Sequence, residues 1–262
     1  MSVSRPFPSA ARPFGGLPSP VLIGIGAAWV AAIAAVATCS AAGLHHDSLL
    51  VGGPGFGPAL LLFLLAWQVM IAAMMLPSSL PLVRMYAAAT VGTPDRSRSM
   101  AAFVGGYALV WSAFGALAFV FDAAIHATVN ASPWVEAHDW AIGPSVLLLA
   151  GAFQFSSLKD ACLKACRHPA SFLRRHYRRG PAGGLMLGAR HGVFCVGCCW
   201  ALMLVMFAAG AANLIWMAAL TGLMVHEKTR PSGARTVPLT GVVLLAAGST
   251  LLLWAAYANG AI

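Results

Sequence analysis

The stretch GLMLGARHGVFCVGCCWALMLVMFAAGAANLIWMAALTGLMVHE, Gly184 to Glu227, is one apolar block, and its division decides the fold. A helix needs about 20 predominantly apolar residues to cross about 30 Å of hydrocarbon, and this block is long enough for two such passes. Its only interruption is AAGAAN, Ala208 to Asn213, so the reading is two helices, Gly184–Ala209 and Ala212–His226. The rest of the chain agrees with a lipid setting. Of 262 residues 60% are hydrophobic and only 9% charged, with mean hydropathy +0.80, too little polar surface for a soluble domain of this length. Further spans are expected at Pro20–Leu44, Pro58–Leu76, Met100–Ile125, Ile142–Leu158 and Val237–Ala258. The expected fold is therefore an all-α, polytopic transmembrane bundle of about seven spans over residues 20–258, since in lipid the backbone must satisfy its own hydrogen bonds. Residues 1–19, rich in Pro, Ser and Gly, read as a disordered cytoplasmic tail. The first span reads as an uncleaved anchor.

Seven spans with the N-terminus inside and the C-terminus outside put all 16 Lys and Arg on one side. Six spans would strand Lys228, Arg230 and Arg235 on the other. The net charge of +9 is then an orientation signal and a contact with lipid headgroups, concentrated in a basic cytoplasmic segment over 159–183. Nucleic acid is not an expected partner, because no stacking platform accompanies the charge. The opposite side carries imidazoles and carboxylates: His45, His46, Asp47, Asp122, His126, Glu136, His138 and Asp139. Such a set could bind a hard or borderline metal, or simply be a solvated loop.

Cysteines carry the chemistry. Cys39 stands alone near the outer end of the first span and reads as a small packing residue. On a helical wheel of about 100° per residue, His191, Cys195, Cys198 and Cys199 share one face, which continues through Leu202 toward Met206. Thiolate and imidazole donors suit Cu(I), with Zn²⁺ the alternative, and Arg190 could favour thiolate over thiol. Helix packing by the small residues of VGCC is the plain reading. Gly184, Gly188 and Gly192 overlap this face and allow a second helix to come close. The second span is the candidate, with Met70, Met74 and Met75 as further soft donors and Pro77 expected to kink it and free carbonyls toward a cavity. Cys162, Cys166 and His168, in SLKDACLKACRHP, could accept an ion at the cytoplasmic surface before it passes to the buried site. Glu227 and Lys228 read as a helix-end ion pair. No G-x-x-x-x-G-K-[ST] loop, H-E-x-x-H motif or G-x-S-x-G elbow occurs, so the expected activity is binding and transfer rather than catalysis.

The run from QFSSLKDACLKACRHP through CVGCC to MVHEK, together with MMLPS, resembles a bacterial domain-of-unknown-function family of predicted metal-binding integral membrane proteins, over about Trp67 to Lys228. Ser156–Ser157 departs from the Thr-Pro expected before Leu158. The resemblance implies metal binding at the matching positions Met74, Met75, Pro77, Cys162, Cys166, Cys195, Cys198, Cys199 and Glu227, and names neither metal nor activity. The resulting expectation is a multi-pass protein of the bacterial inner membrane that holds a metal ion, Cu(I) before Zn²⁺, and passes it to a metallochaperone or metalloprotein partner. The alternative is a thiol–disulfide oxidoreductase cycling Cys195 with Cys198 or Cys199.

Overall fold

The computed structural model describes residues 19–38, 40, 48–49, 55–209 and 213–260, with the side chains of 207–209 left aside. Residues 1–18 of the tail, Cys39, the His45–Asp47 loop and Gly210–Ala212 of the AAGAAN break lie outside the described residues. Those described form helices and no strand. The longer elements are α1 (Ser19–Ala37), α2 (Phe56–Ala89), α3 (Arg96–Ala131), α5 (Ile142–Phe153), α6 (Ser157–Arg167), α7 (Pro169–His176), α8 (Gly180–Ala209), α9 (Leu214–Thr229) and α10 (Gly233–Ala258), with a single turn, α4 (Pro133–Glu136), ahead of α5. Among them α1, α2, α3, α8 and α10 are long and apolar enough to cross a membrane. The α5–α6 pair adds a sixth if it is one span. Helix α9, read as a span in the sequence, has 16 residues, about 24 Å of helix and just under the usual crossing length.

Two long helices form the scaffold. α3 and α8 pack most extensively, and the glycine face of α8 is the reason. A Cβ on Gly184 or Gly188 would collide with the backbone carbonyls of Ser99 or Phe103 on α3. The helix that approaches the donor-bearing face closely is therefore α3 rather than the Met-rich second span. α2 packs on α1, α3 and α9 instead. It runs unbroken through Pro77 and Pro81. Pro77 lacks the N–H that would bond the carbonyl of Ala73, and the Trp29 indole of α1 donates to that carbonyl at 3.0 Å. The freed group faces a neighbouring helix, not a cavity.

The fourth expected span departs most from the reading. Its helix stops at Phe153 and restarts at Ser157, bent by 66°. Ser156 is the N-cap of α6, its side chain accepting the Lys159 N–H at 3.1 Å. Ser156–Ser157 thus fills the cap and first helical position that Thr-Pro would fill. Asp160 in the first turn and Arg167 in the last suit the helix dipole. Lys159, Cys162, Leu163 and Cys166 recur at helical spacing along one face, which α6 lays against α8.

The basic residues gather where helix ends meet. Tyr177 donates to the carbonyl of Ala89 at 3.4 Å, and Arg167 donates to the carbonyls of Glu227 and Pro231. Val21, Val83, Tyr86, Phe103, Phe172 and Leu173 form a small core there. The segment 159–183 is consequently folded onto the bundle by its apolar residues, with most of its charges left outside and Lys159 buried.

Candidate metal centre

Five helices supply the site, although the cysteines come from two. On α8, Cys195, Cys198 and Cys199 are at most 2% exposed, as the shared helical face predicts. On α6, Cys162 is buried and Cys166 half-buried. The bend after Phe153 turns α6 so that Cys166 Sγ reaches 4.0 Å from Cys198 Sγ, while Cys198 Sγ is 3.3 Å from Cys199 Sγ. Gly197 makes room for this docking, since a Cβ there would lie 2.5 Å from Cys162 Sγ. The separate surface and buried cysteine groups expected from the sequence are one group. All five are free thiols.

Around the sulfurs stands a polar network in an otherwise apolar core. Lys228 Nζ of α9 donates to Cys195 Sγ at 3.1 Å and to Ser78 Oγ of α2 at 3.0 Å. The Tyr107 hydroxyl of α3 is 3.1 Å from Cys195 Sγ, and Ser79 Oγ lies 3.4 Å from that hydroxyl and 3.0 Å from His191 Nε2. Cys198 donates its thiol hydrogen to the carbonyl of Cys195 at 3.2 Å. A second cation, Lys159, is fully buried and pairs with Glu227 Oε2 at 2.8 Å. This pair, with the Arg167 contacts, clamps α6 to α9. Breaking such a pair leaves one charge buried alone, which is why its geometry is held tightly.

The structure brings some of the residues read as site candidates together and sets others apart. His191 is buried, but Ser79 and the rings of Tyr107, Phe103 and Phe172 surround it, with centroids 5.6–6.4 Å away. Met70, Met74 and Met75 join the same core cluster as the cysteines. His168 stands at the N-cap position of α7 without a side-chain cap hydrogen bond and is exposed. Arg190 is exposed too. The cation at the thiols is Lys228, and Glu227 and Lys228 serve different partners instead of each other. Tyr107, Ser78, Ser79 and Lys159 were not singled out. A lysine on the apolar face of SLKDACLKACR, in a chain with only seven acidic residues, was the available signal that a buried carboxylate partner was required.

Two sulfurs 4.0 Å apart can both reach one ion at the usual metal–thiolate distance of about 2.3 Å. No group of three or more His, Cys, Asp or Glu side chains among the described residues is arranged as a metal site. Neither a curated protein nor a solved structure matches the chain. A family does: the model of PpoB2, described as a copper chaperone, matches residues 64–251, from α2 through most of α10 and with every residue of the thiol cluster inside it, and the chain belongs to that family.

Proposed function

We propose that the chain is a membrane-embedded Cu(I) carrier that holds the ion on the cysteines shared by α6 and α8 and hands it to a membrane or exported metalloprotein. The observation that carries this reading is the approach of Cys166 to Cys198 across two helices, beside a buried ammonium. Cu(I) is content with two thiolates, whereas structural Zn²⁺ takes four ligands, so a two-helix thiol pair favours copper. Two thiolates and one Cu(I) leave a negative charge, and Lys228 stands where it offsets that charge in a medium that penalises it. Cys162, Cys195 and Cys199 are the adjoining donors through which the ion enters or leaves by stepwise ligand replacement, which needs no nucleotide. Met74 and Met75 extend the soft-donor set into α2.

The basic end faces the cytosol of a bacterial inner membrane in this reading, with N-in/C-out topology. α5–α6 and α9 then complete seven passes around the site. Copper quantification on anaerobically purified protein tests the function. Bound Cu(I) near stoichiometry, lost in Cys198→Ser, is the expected result; a copper-free chain with a reversible disulfide would overturn it in favour of thiol exchange.

A further inference from the structure

Of the chain's 11 methionines, seven are buried, at 0–7% exposure, in the one core cluster that also holds the cysteines. They lie on α2, α8 and α9. Lys228 fixes a common level for these helices, because its ammonium touches both Ser78 of α2 and Cys195 of α8. The direction of each helix from that level is set by the basic end, where α2 and α9 finish and α8 begins. Moving away from it at about 1.5 Å per residue, Met74 and Met224 come at about 6 Å, Met70 and Met203 at about 12 Å, and Met206 and Met217 at about 16 Å. The methionines are thus spread along the depth of the core on all three helices. Packing alone does not call for this. Methionine gives up more side-chain entropy than leucine and specifies a core poorly, so a column of it beside a thiol cluster is a costly filler.

We propose that these six methionines form a thioether path for Cu(I) from the cysteine cluster toward the end of the bundle opposite the basic residues. The path rests on the Cu(I) reading of the cysteines. Thioether sulfur is a soft, neutral ligand, suited to Cu(I) or Ag(I) and poor for Zn²⁺. Because thioethers carry no charge, an ion there is held less tightly than at the thiolates and can move on. Each step forms one Cu–S bond as another breaks; copper remains Cu(I) and no electron or proton is exchanged.

Selenomethionine-labelled full-length protein in detergent, loaded anaerobically with Cu(I) and read by X-ray absorption at the copper edge, separates the two sulfur types. With one equivalent, the wild type is expected to show sulfur neighbours only. With two equivalents, or in the Cys195→Ser, Cys198→Ser, Cys199→Ser triple variant, selenium enters the copper shell. Leucine at all six path positions (Met70→Leu, Met74→Leu, Met203→Leu, Met206→Leu, Met217→Leu and Met224→Leu), which roughly conserves volume, removes it. Selenium absent at two equivalents, or retained after all six leucine changes, overturns the path. Selenium without sulfur at the first equivalent overturns the cysteine reading instead. The wild-type titration stands even if the triple variant fails to fold.

Discussion

At the end of the bundle away from the basic residues, ligand-type side chains are crowded in sequence, and several of their contacts among the described residues are local. Asp122 and His126, one turn apart on α3, meet at 3.8 Å. His138 bonds the carbonyl of Trp134 through Nδ1 at 2.6 Å and stacks on its ring at 4.5 Å, and Glu136 and Asp139 are exposed. The cysteine region draws its donors from two separate stretches, on α6 and α8. Cys166 and Cys198 are brought to 4.0 Å by the docking of α6 on α8, and α2, α3 and α9 each add a polar group. Density along the chain therefore does not make a site; convergence of separate helices on a buried point does, because only there is water excluded and charge strongly felt.

The two regions should respond differently to mutation. The largest effect is expected from Glu227→Ala, which leaves the fully buried Lys159 without its partner and costs about 3–5 kcal/mol. Thermal unfolding in detergent micelles measures it, and the same change at the exposed Glu136 should cost under about 1 kcal/mol. Equal losses would erase the contrast. Next comes Lys228→Met, which removes the ammonium from Cys195 while keeping an apolar stem of similar length. Cu(I) affinity, measured by competition with a chromophoric chelator, should fall about 10- to 100-fold, as for other groups just outside a metal's ligands. An unchanged affinity would remove Lys228 from the site. The smallest effect belongs to His126→Ala combined with His138→Ala, which should leave Cu(I) binding within about 0.5 kcal/mol. A larger loss would make the outer cluster part of the copper route.

Much of this was legible in the sequence. Apolar run length marked α1, α2, α3, α8 and α10, because backbone satisfaction in lipid leaves few alternatives to helix. The wheel placed Cys195, Cys198 and Cys199 together because a single helix is rigid over so few residues. The 66° bend at Phe153–Ser157 was not legible, since what holds α6 down is tertiary: the Lys159–Glu227 pair and the space over Gly197. The roles of Arg190 and Lys228 were exchanged for a related reason. Arg190 is near the cysteines along the chain but exposed, while Lys228 arrives from another helix. The freed carbonyl of Ala73 was foreseen from Pro77, but its partner, Trp29, lies on a separate helix and no local pattern names it.

Whether α6 and α8 share one copper site can be decided by a double-mutant cycle on Cu(I) affinity with Cys166→Ser, Cys198→Ser and the double variant, all measured anaerobically. A shared site predicts strong non-additivity, with the double variant losing little more than either single one and a coupling on the order of 1–3 kcal/mol. Losses that add to within about 0.5 kcal/mol would mean that the two thiols bind copper independently, contrary to a single centre built across the two helices.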